Sequence, residues 1–296
     1  MLLARISFVP HMDHEEAELV AVAERFLTAM LKNGQIIGEY NTGWRDGIFE
    51  AFVSASHRES LYARYNSRWV NEAVNALQLQ FGAEPACEIL DDDVSLPVPT
   101  LKSATSLYLY GDGLTFGTGI RHGNRGTPLP LPLLPIDDDL REEIFLWRQS
   151  YVNHDRVWFG GGPLEMAAYC QLADPSSELM VSGRDIALRL EKEVKLPVFL
   201  YVLRHWGEMG AEEKRLCPGC GQCWSEKDSP APSHEPFHRF HFRCEPCRLV
   251  SHQAVNFEDV ELARIGTFST KERPSEVEAA TELTAAADQI PSDSQS

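Results

Sequence analysis

The chain has 296 residues, a hydrophobic share of 43% and a formal charge of −17, from 44 acidic against 27 basic residues. That length suits one large or two ordinary domains, and the apolar share is enough for a packed core. The charge opposes a phosphate backbone unless a local patch reverses it, and it favours a basic protein partner or solubility alone. The N-terminus lacks the basic start and apolar stretch of a secretion signal. The longest apolar run, Leu196 to Leu203, is far short of the ~20 residues a spanning helix needs, so a soluble, cytoplasmic protein with no membrane partner is expected.

Arg5 to Val9 reads as a strand. Asp13, with Glu16 three positions on, has capping-box spacing before a helix whose apolar face runs Val20, Ala23, Leu27, Met30 and Leu31. Ile36–Thr42 and Ile48–Ser54 read as strands joined through Gly43 to Gly47, followed by a long helix over about Arg58–Leu79 and a strand at Cys87–Leu90. Strand-helix-strand-strand-helix-strand is the order of a split βαβ, ferredoxin-like sandwich, assigned to residues 1–92.

Asp91 to Pro99 reads as a linker into an α/β central domain over 93–208. Ser106–Tyr110 and Leu114–Thr118 flank Gly111-Asp112-Gly113 as a hairpin. The proline-spaced run Thr127 to Pro135 cannot be helical and is expected extended, on the surface or along a sheet edge. Helices are expected at about Asp139–Asn153, Pro163–Leu172 and Ser176–Val194, with Asp137-Asp138-Asp139 capping the first. Val157-Trp158-Phe159 looks strand-like, and Gly160-Gly161-Gly162 reads as a tight turn rather than an anion site. Pro197–Arg204 is a strand leading into a zinc ribbon over 209–256. Residues 257–296 turn acidic and alanine-rich, with nine acidic against three basic residues, and read as a disordered acidic tail. The fold class is therefore α+β.

The chemistry concentrates in two Cys-x-x-Cys pairs, Cys217-Pro218-Gly219-Cys220 and Cys244-Glu245-Pro246-Cys247, with 23 residues between them. Each pair forms a knuckle aiming two thiolates at one point, and two knuckles complete the four-sulfur cage that Zn²⁺ prefers. Such a site is closed and structural. Cys220 to Cys223 is also a Cys-x-x-Cys; Cys217 with Cys220 is preferred because Cys-Pro-x-Cys-Gly supplies the sharp turn and following glycine. Cys87 and Cys170 read as buried thiols in apolar segments. Histidines 234, 238, 241 and 252 offer substitute ligands that a four-thiolate cage does not need.

Between the knuckles, Phe237 to Arg243 alternates aromatic and polar residues. One reading is a nucleic-acid platform, with Phe240 or Phe242 stacking on bases and Arg239, Arg243 and Arg248 on phosphates. The other is a strand with one face buried and its arginines solvated. Six basic residues balance six acidic ones between Gly210 and Asn256, which favours the second. His11, Asp13, His14 and Glu15 are assigned capping and helix-dipole roles.

From about Thr105 to Val255 the chain resembles a family of uncharacterised bacterial proteins with a C-terminal zinc ribbon, labelled as candidate nucleic-acid binders. The resemblance rests on Cys217 to Gly221, on Phe242 to Ser251, on Gln171 to Leu179, on Ser182-Gly183-Arg184 and on Leu196 to Tyr201. It implies Cys217, Cys220, Cys244 and Cys247 as ligands of one structural zinc, in a ribbon after an α/β body. Where that family has Arg-Cys-Gly-x-Cys, this chain reads Arg121-His122-Gly123-Asn124-Arg125, so chemistry by central cysteines is not expected. The functional expectation is a non-enzymatic adaptor binding a macromolecule, preferably a protein. The alternatives are RNA or single-stranded DNA binding through the ribbon, an acidic immunity-type inhibitor of a basic toxin, and an enzyme with its site between Ser106 and Arg204.

Overall fold

The computed structural model describes residues 2–90, 101–111, 117–226 and 240–268. The linker 91–100, the turn residues 112–116, His234, His238 and Arg239, and the tail from 269 onward lie outside the described residues.

Two sheets organise the chain. The first holds β1 (Leu2–Phe8), β2 (Ile36–Arg45), β3 (Ile48–Ala55) and β4 (Pro85–Ile89) in the order β2-β3-β1-β4, every neighbour antiparallel. Ala4, Ile6 and Phe8 alternate inward with Phe49, Ala51 and Val53 against helices α1 (Glu16–Lys32) and α2 (Arg68–Phe81). Asp46 and Gly47, both at positive φ (51° and 78°), close the β2–β3 hairpin as a two-residue turn, which lets the strands pair up to Arg45 and Ile48.

Both helix starts differ from expectation. Glu15 rather than Asp13 occupies the α1 N-cap position, and no side chain bonds there. Helix α2 begins at Arg68, where the Ser67 hydroxyl accepts from the Val70 N–H. Ahead of it, short 3-10 turns at Arg58–Leu61 and Ala63–Tyr65 replace helix. A buried amide network explains the break: Gln35 donates to the Ser60 carbonyl and the Asn66 side chain at 3.0 Å each, and Asn33 to the Tyr65 carbonyl at 2.8 Å. Side chains there take backbone groups that a helix would have used.

The second sheet has β5 (Leu107–Leu109), β6 (Ile120–His122), β7 (Val198–Val202), β8 (Phe242–Cys244) and β9 (Leu249–Ser251), ordered β6-β5-β7-β9-β8. Strands β5, β7 and β9 are parallel, and β6 and β8 are antiparallel edges. The β5-to-β7 crossover carries α3 (Asp138–Gly160), α4 (Glu165–Ala173) and α5 (Glu178–Val194). Asp137 caps α3, its carboxylate accepting from the Leu140 N–H at 2.7 Å. Val157 to Phe159 form the last turn of α3 rather than a strand, with Trp158 packed on Tyr169 and His205, and the glycines after it make the tight link to α4. The Pro-rich run does follow the β6 edge, with the Leu129 N–H bonded to Ile120, but its leucines 129, 131 and 134 are buried in the core. His122, the last residue of β6, is buried, its Nδ1 accepting from the Asn124 N–H at 3.1 Å.

The cysteine region continues the body's sheet: β9 pairs with β7, and Cys217, Cys244 and Cys247 share one core with Leu107, Trp147 and Phe199. Residues 257–268 are not a loose tail. Ala263 is buried, the Ile265 carbonyl accepts from Arg204 at 2.8 Å, and Phe268 lies against Gly221. Cys87 is exposed and Cys170 half-buried.

Helix α5 approaches α3 and β7 through Gly183, where a Cβ would fall 2.6 Å from Trp147 Nε1 and 3.1 Å from Leu200 Cδ1. Trp147 is pinned there by donating to the Leu179 carbonyl at 2.9 Å. Gly183→Ala is therefore expected to lose about 1–3 kcal/mol of stability through overpacking, measured by urea unfolding; an unchanged midpoint would contradict this packing.

Candidate metal centre

The β7-to-β9 crossover carries both knuckles to one point. In the first, the Cys217 N–H donates to Gln222 and the Gly221 N–H to Cys217, each at 2.8 Å, and Gly221 sits at φ +71°. A Cβ at Gly219 would lie 2.8 Å from Cys247 Sγ, so the knuckles meet across a glycine. In the second, Arg248 takes the position that Gly221 takes in the first, at φ +54°. A non-glycine residue there is strained. Arg248 is held by Glu191 of α5 through two bonds, 2.9 and 3.1 Å, and by Glu245 at 3.0 Å. The second knuckle is thus anchored to the helical layer by an ion pair.

The four sulfurs of Cys217, Cys220, Cys244 and Cys247 all lie within 4.8 Å of one another, with Cys220 and Cys244 3.6 Å apart. Tetrahedral coordination with ~2.3 Å bonds requires sulfurs ~3.8 Å apart. The donor set fits a metal ion with little adjustment. Cys223 is exposed and outside the cluster, and no described histidine belongs to it. His241 instead accepts at Nδ1 from the Gln253 N–H at 3.1 Å.

Without a cation the cluster resists charge. Burial, followed by neighbouring sulfurs, raises the Cys247 thiol to about 11 and pushes Cys244 up strongly. Burial opposes ionisation at Cys220 too, but the Gln222 backbone N–H and hydrogen bonds from the other sulfurs outweigh it and bring that thiol below its ordinary value. Crowded thiols of this kind ionise together only when a cation compensates them.

The predicted macromolecule-binding residues are placed differently from one another. Phe240 and Phe242 are buried, at 7% and 2% exposure. Phe240 packs on Tyr108, Tyr201 and His252, and Phe242 on Trp224. Neither offers a face to a base. Arg243 lies 4.0 Å over the Phe199 ring and bonds Glu245 at 2.7 Å. Arg248 is engaged as described. The alternation of this strand is therefore spent on covering the sheet.

A buried ionic triad, not foreseen from sequence, braces the first knuckle. Arg204, Glu212 and Arg215 have side chains only 3%, 3% and 5% exposed. Glu212 accepts from Arg204 at 2.9 Å, pairs with Arg215 at 3.2 Å, and accepts from the Ala254 N–H at 3.3 Å. The Arg215 guanidinium stacks on Trp224 and Phe242 at 4.7 and 4.5 Å, and bonds Ser251 of β9 at 3.1 Å. Burial, then repulsion from Arg204, lowers Arg215 to about 10, with Glu212 opposing both. In sequence these residues look like ordinary surface charges. Glu212→Ala leaves two guanidiniums buried without their carboxylate and is expected to cost about 3–5 kcal/mol, read from chemical unfolding; a loss within that of a surface substitution would contradict the bracing role. Native-state alkylation is expected to label Cys223 well ahead of the buried Cys217, Cys244 and Cys247, and equal labelling would contradict their enclosure.

Residues 1–91, 102–203 and 207–257 match three family models, described as Domain of unknown function (DUF8589), Domain of unknown function (DUF2310) and Domain of unknown function (DUF8594). These descriptions name neither a zinc ribbon nor nucleic acid. An "Uncharacterized protein" of Haemophilus influenzae (strain ATCC 51907 / DSM 11121 / KW20 / Rd) is 30% identical over 234 residues, covering 76% of this chain and 87% of that protein. A second from the same organism is 32% identical over 151 residues, covering 50% of this chain and 71% of its own length. A solved structure titled "Crystal structure of antibiotic biosynthesis monooxygenase" covers 33% of this chain and 100% of its own at 12% identity, with a TM-score of 0.24 that carries no argument. Among the described residues no helix is long and apolar enough to cross a membrane. By the extent of the first match, the chain belongs to the family of that Haemophilus influenzae protein, whose central region here is the DUF2310 domain.

Proposed function

We propose that Cys217, Cys220, Cys244 and Cys247 hold one structural zinc ion, and that the chain is a non-enzymatic adaptor presenting a metal-stapled surface to a protein partner. The observation that supports the metal is the convergence of four sulfurs within 4.8 Å inside the core of the body. Four thiolates fill a tetrahedral zinc and leave no position for substrate, which is the mark of a structural site. The surrounding region is read as a zinc ribbon whose strands extend the body's sheet, and the first sheet with α1 and α2 as a ferredoxin-like sandwich.

A protein is preferred over nucleic acid on two grounds. The two aromatics that a base would need are buried, and Arg243 and Arg248 are engaged with Glu245 and Glu191. The chain's charge of −17 adds repulsion toward phosphates.

Protein purified without chelator is expected to contain one zinc per chain by elemental analysis. Cys217→Ser or Cys244→Ser should lose it, and Cys223→Ser should keep it. Zinc retained after both ligand substitutions would overturn the assignment. For the partner, affinity purification from the native cell is expected to recover a protein in near-equal amount, while single-stranded RNA and DNA show no mobility shift even at low salt. A shift with steep salt dependence that weakens in Arg243→Ala or Arg248→Ala would reverse the preference.

A further inference from the structure

A cleft of about 510 Å³ opens between the first sheet and the central body, within the ordinary range for a small-molecule site. Its two walls come from different halves of the chain. One wall is the edge strand β2, from Ile36 to Tyr40, with Leu31 and Gly34 at the end of α1. The other is one face of α3, carrying Phe145, Arg148, Gln149, Val152, Asn153 and Arg156.

The walls are fixed relative to each other. A Cβ at Gly34 would lie 2.9 Å from Leu131 Cβ, so backbone and leucine touch at the cleft floor. Beside this contact Lys32 pairs with Glu142 at 2.6 Å, and the Arg68 N–H donates to Asp138 at 2.8 Å. The β2 wall is also shaped. Pairing with β3 breaks between Ile37 and Asn41, and Gly38 stands at φ +73°, so the strand bulges where it borders the cleft. Such irregularities re-aim side chains beside binding sites.

The lining has two chemical parts. Leu31, Ile36, Ile37, Leu131, Phe145 and Val152 make an apolar floor. Arg148 and Arg156 supply positive charge about two turns apart along α3, with Gln149 and Asn153 between them, and Arg148 donates to the Gln149 amide oxygen at 3.5 Å. The Arg148 stem packs on Gly119, whose missing side chain leaves it room: a Cβ there would lie 3.4 Å from Arg148 Cβ. Among the described lining residues Glu39 is the one carboxylate, and it stands on the β2 wall, so the cationic side is the α3 side. In a chain of charge −17, two guanidiniums on one cleft wall beside an apolar floor run against the general surface.

We infer that this cleft binds a small organic anion with an apolar body, its acidic group on Arg156 within the positive field of Arg148, and its body on the floor. The arrangement places a charge-assisted pair next to buried apolar area, and the anion gains from both at once. The site is separate from the cysteine cluster and does not depend on the zinc assignment. Because its walls belong to the two sheets' separate layers, an occupant bridges them and stabilises their apposition by mass action.

Titration calorimetry with decanoate as probe tests this on the full chain, with 1-decanol as the uncharged control of equal length. Decanoate is expected to bind with one site per chain and to raise the melting temperature, and decanol to bind about tenfold more weakly or worse. Arg156→Gln, an exposed position whose loss leaves packing intact, should weaken decanoate by several-fold and leave decanol unchanged. The Arg148→Gln, Arg156→Gln pair should weaken decanoate further, and the two lysine replacements should restore part of it. No decanoate binding, equal affinity for decanol, or affinity unaltered by Arg156→Gln would each overturn the inference.

Discussion

Four thiols brought within 4.8 Å inside an apolar core set the constraint around which the C-terminal half is arranged. Such a group cannot carry four charges unless a cation sits among them, and left protonated it offers little beyond weak polar contacts. Every neighbouring feature serves to bring the sulfurs to one point. Gly219 admits Cys247, Gly221 and Arg248 supply the left-handed turns after each knuckle, and Glu191 holds Arg248 in its strained conformation. The triad of Arg204, Glu212 and Arg215 then ties the approach to the first knuckle to β9 and to the segment after it. A buried ionic cluster of this sort is weak support for stability in itself and a strong constraint on geometry, since losing one member strands the others.

The knuckles are also part of the body's main sheet. Strand β7 is buried along its whole length because helices cover one face and an aromatic layer of Tyr108, Tyr201, Phe240 and His252 covers the other. Phe240 and Phe242 are committed to that layer and to Trp224. The geometry of the cysteine cluster and sheet packing are therefore coupled, and disturbance of either reaches the other through β9.

Much of this was legible in the sequence for identifiable reasons. Period-2 and period-3.6 patterns placed β1, α1 and α5 within a few residues and α3 at its start, and the β2–β3 turn falls inside the expected Gly43 to Gly47 connection, at Asp46-Gly47. Spacing alone singled out the four cysteines that converge, and Cys-Pro-x-Cys-Gly selected the register that leaves Cys223 outside. What failed depended on tertiary partners. Gln35 diverts the carbonyl of Ser60, which shortens α2 at its start, and nothing local to residues 58–66 announces it. Val157 to Phe159 looks like a strand because three bulky residues in a row suit either state, and the helix wins through Trp158 on Tyr169. Phe240, Phe242 and Arg243 gave a pattern common to a binding surface and a packed edge, and only burial separates the two. Arg204, Glu212 and Arg215 looked like solvated charge because the sequence does not say that they meet.

X-ray absorption at the zinc edge on protein purified without chelator bears most directly on this account. It predicts a single zinc shell of four sulfurs at ~2.3 Å with no nitrogen or oxygen ligand. A mixed sulfur and nitrogen shell, or protein that folds to the same stability with no metal at all, would contradict it.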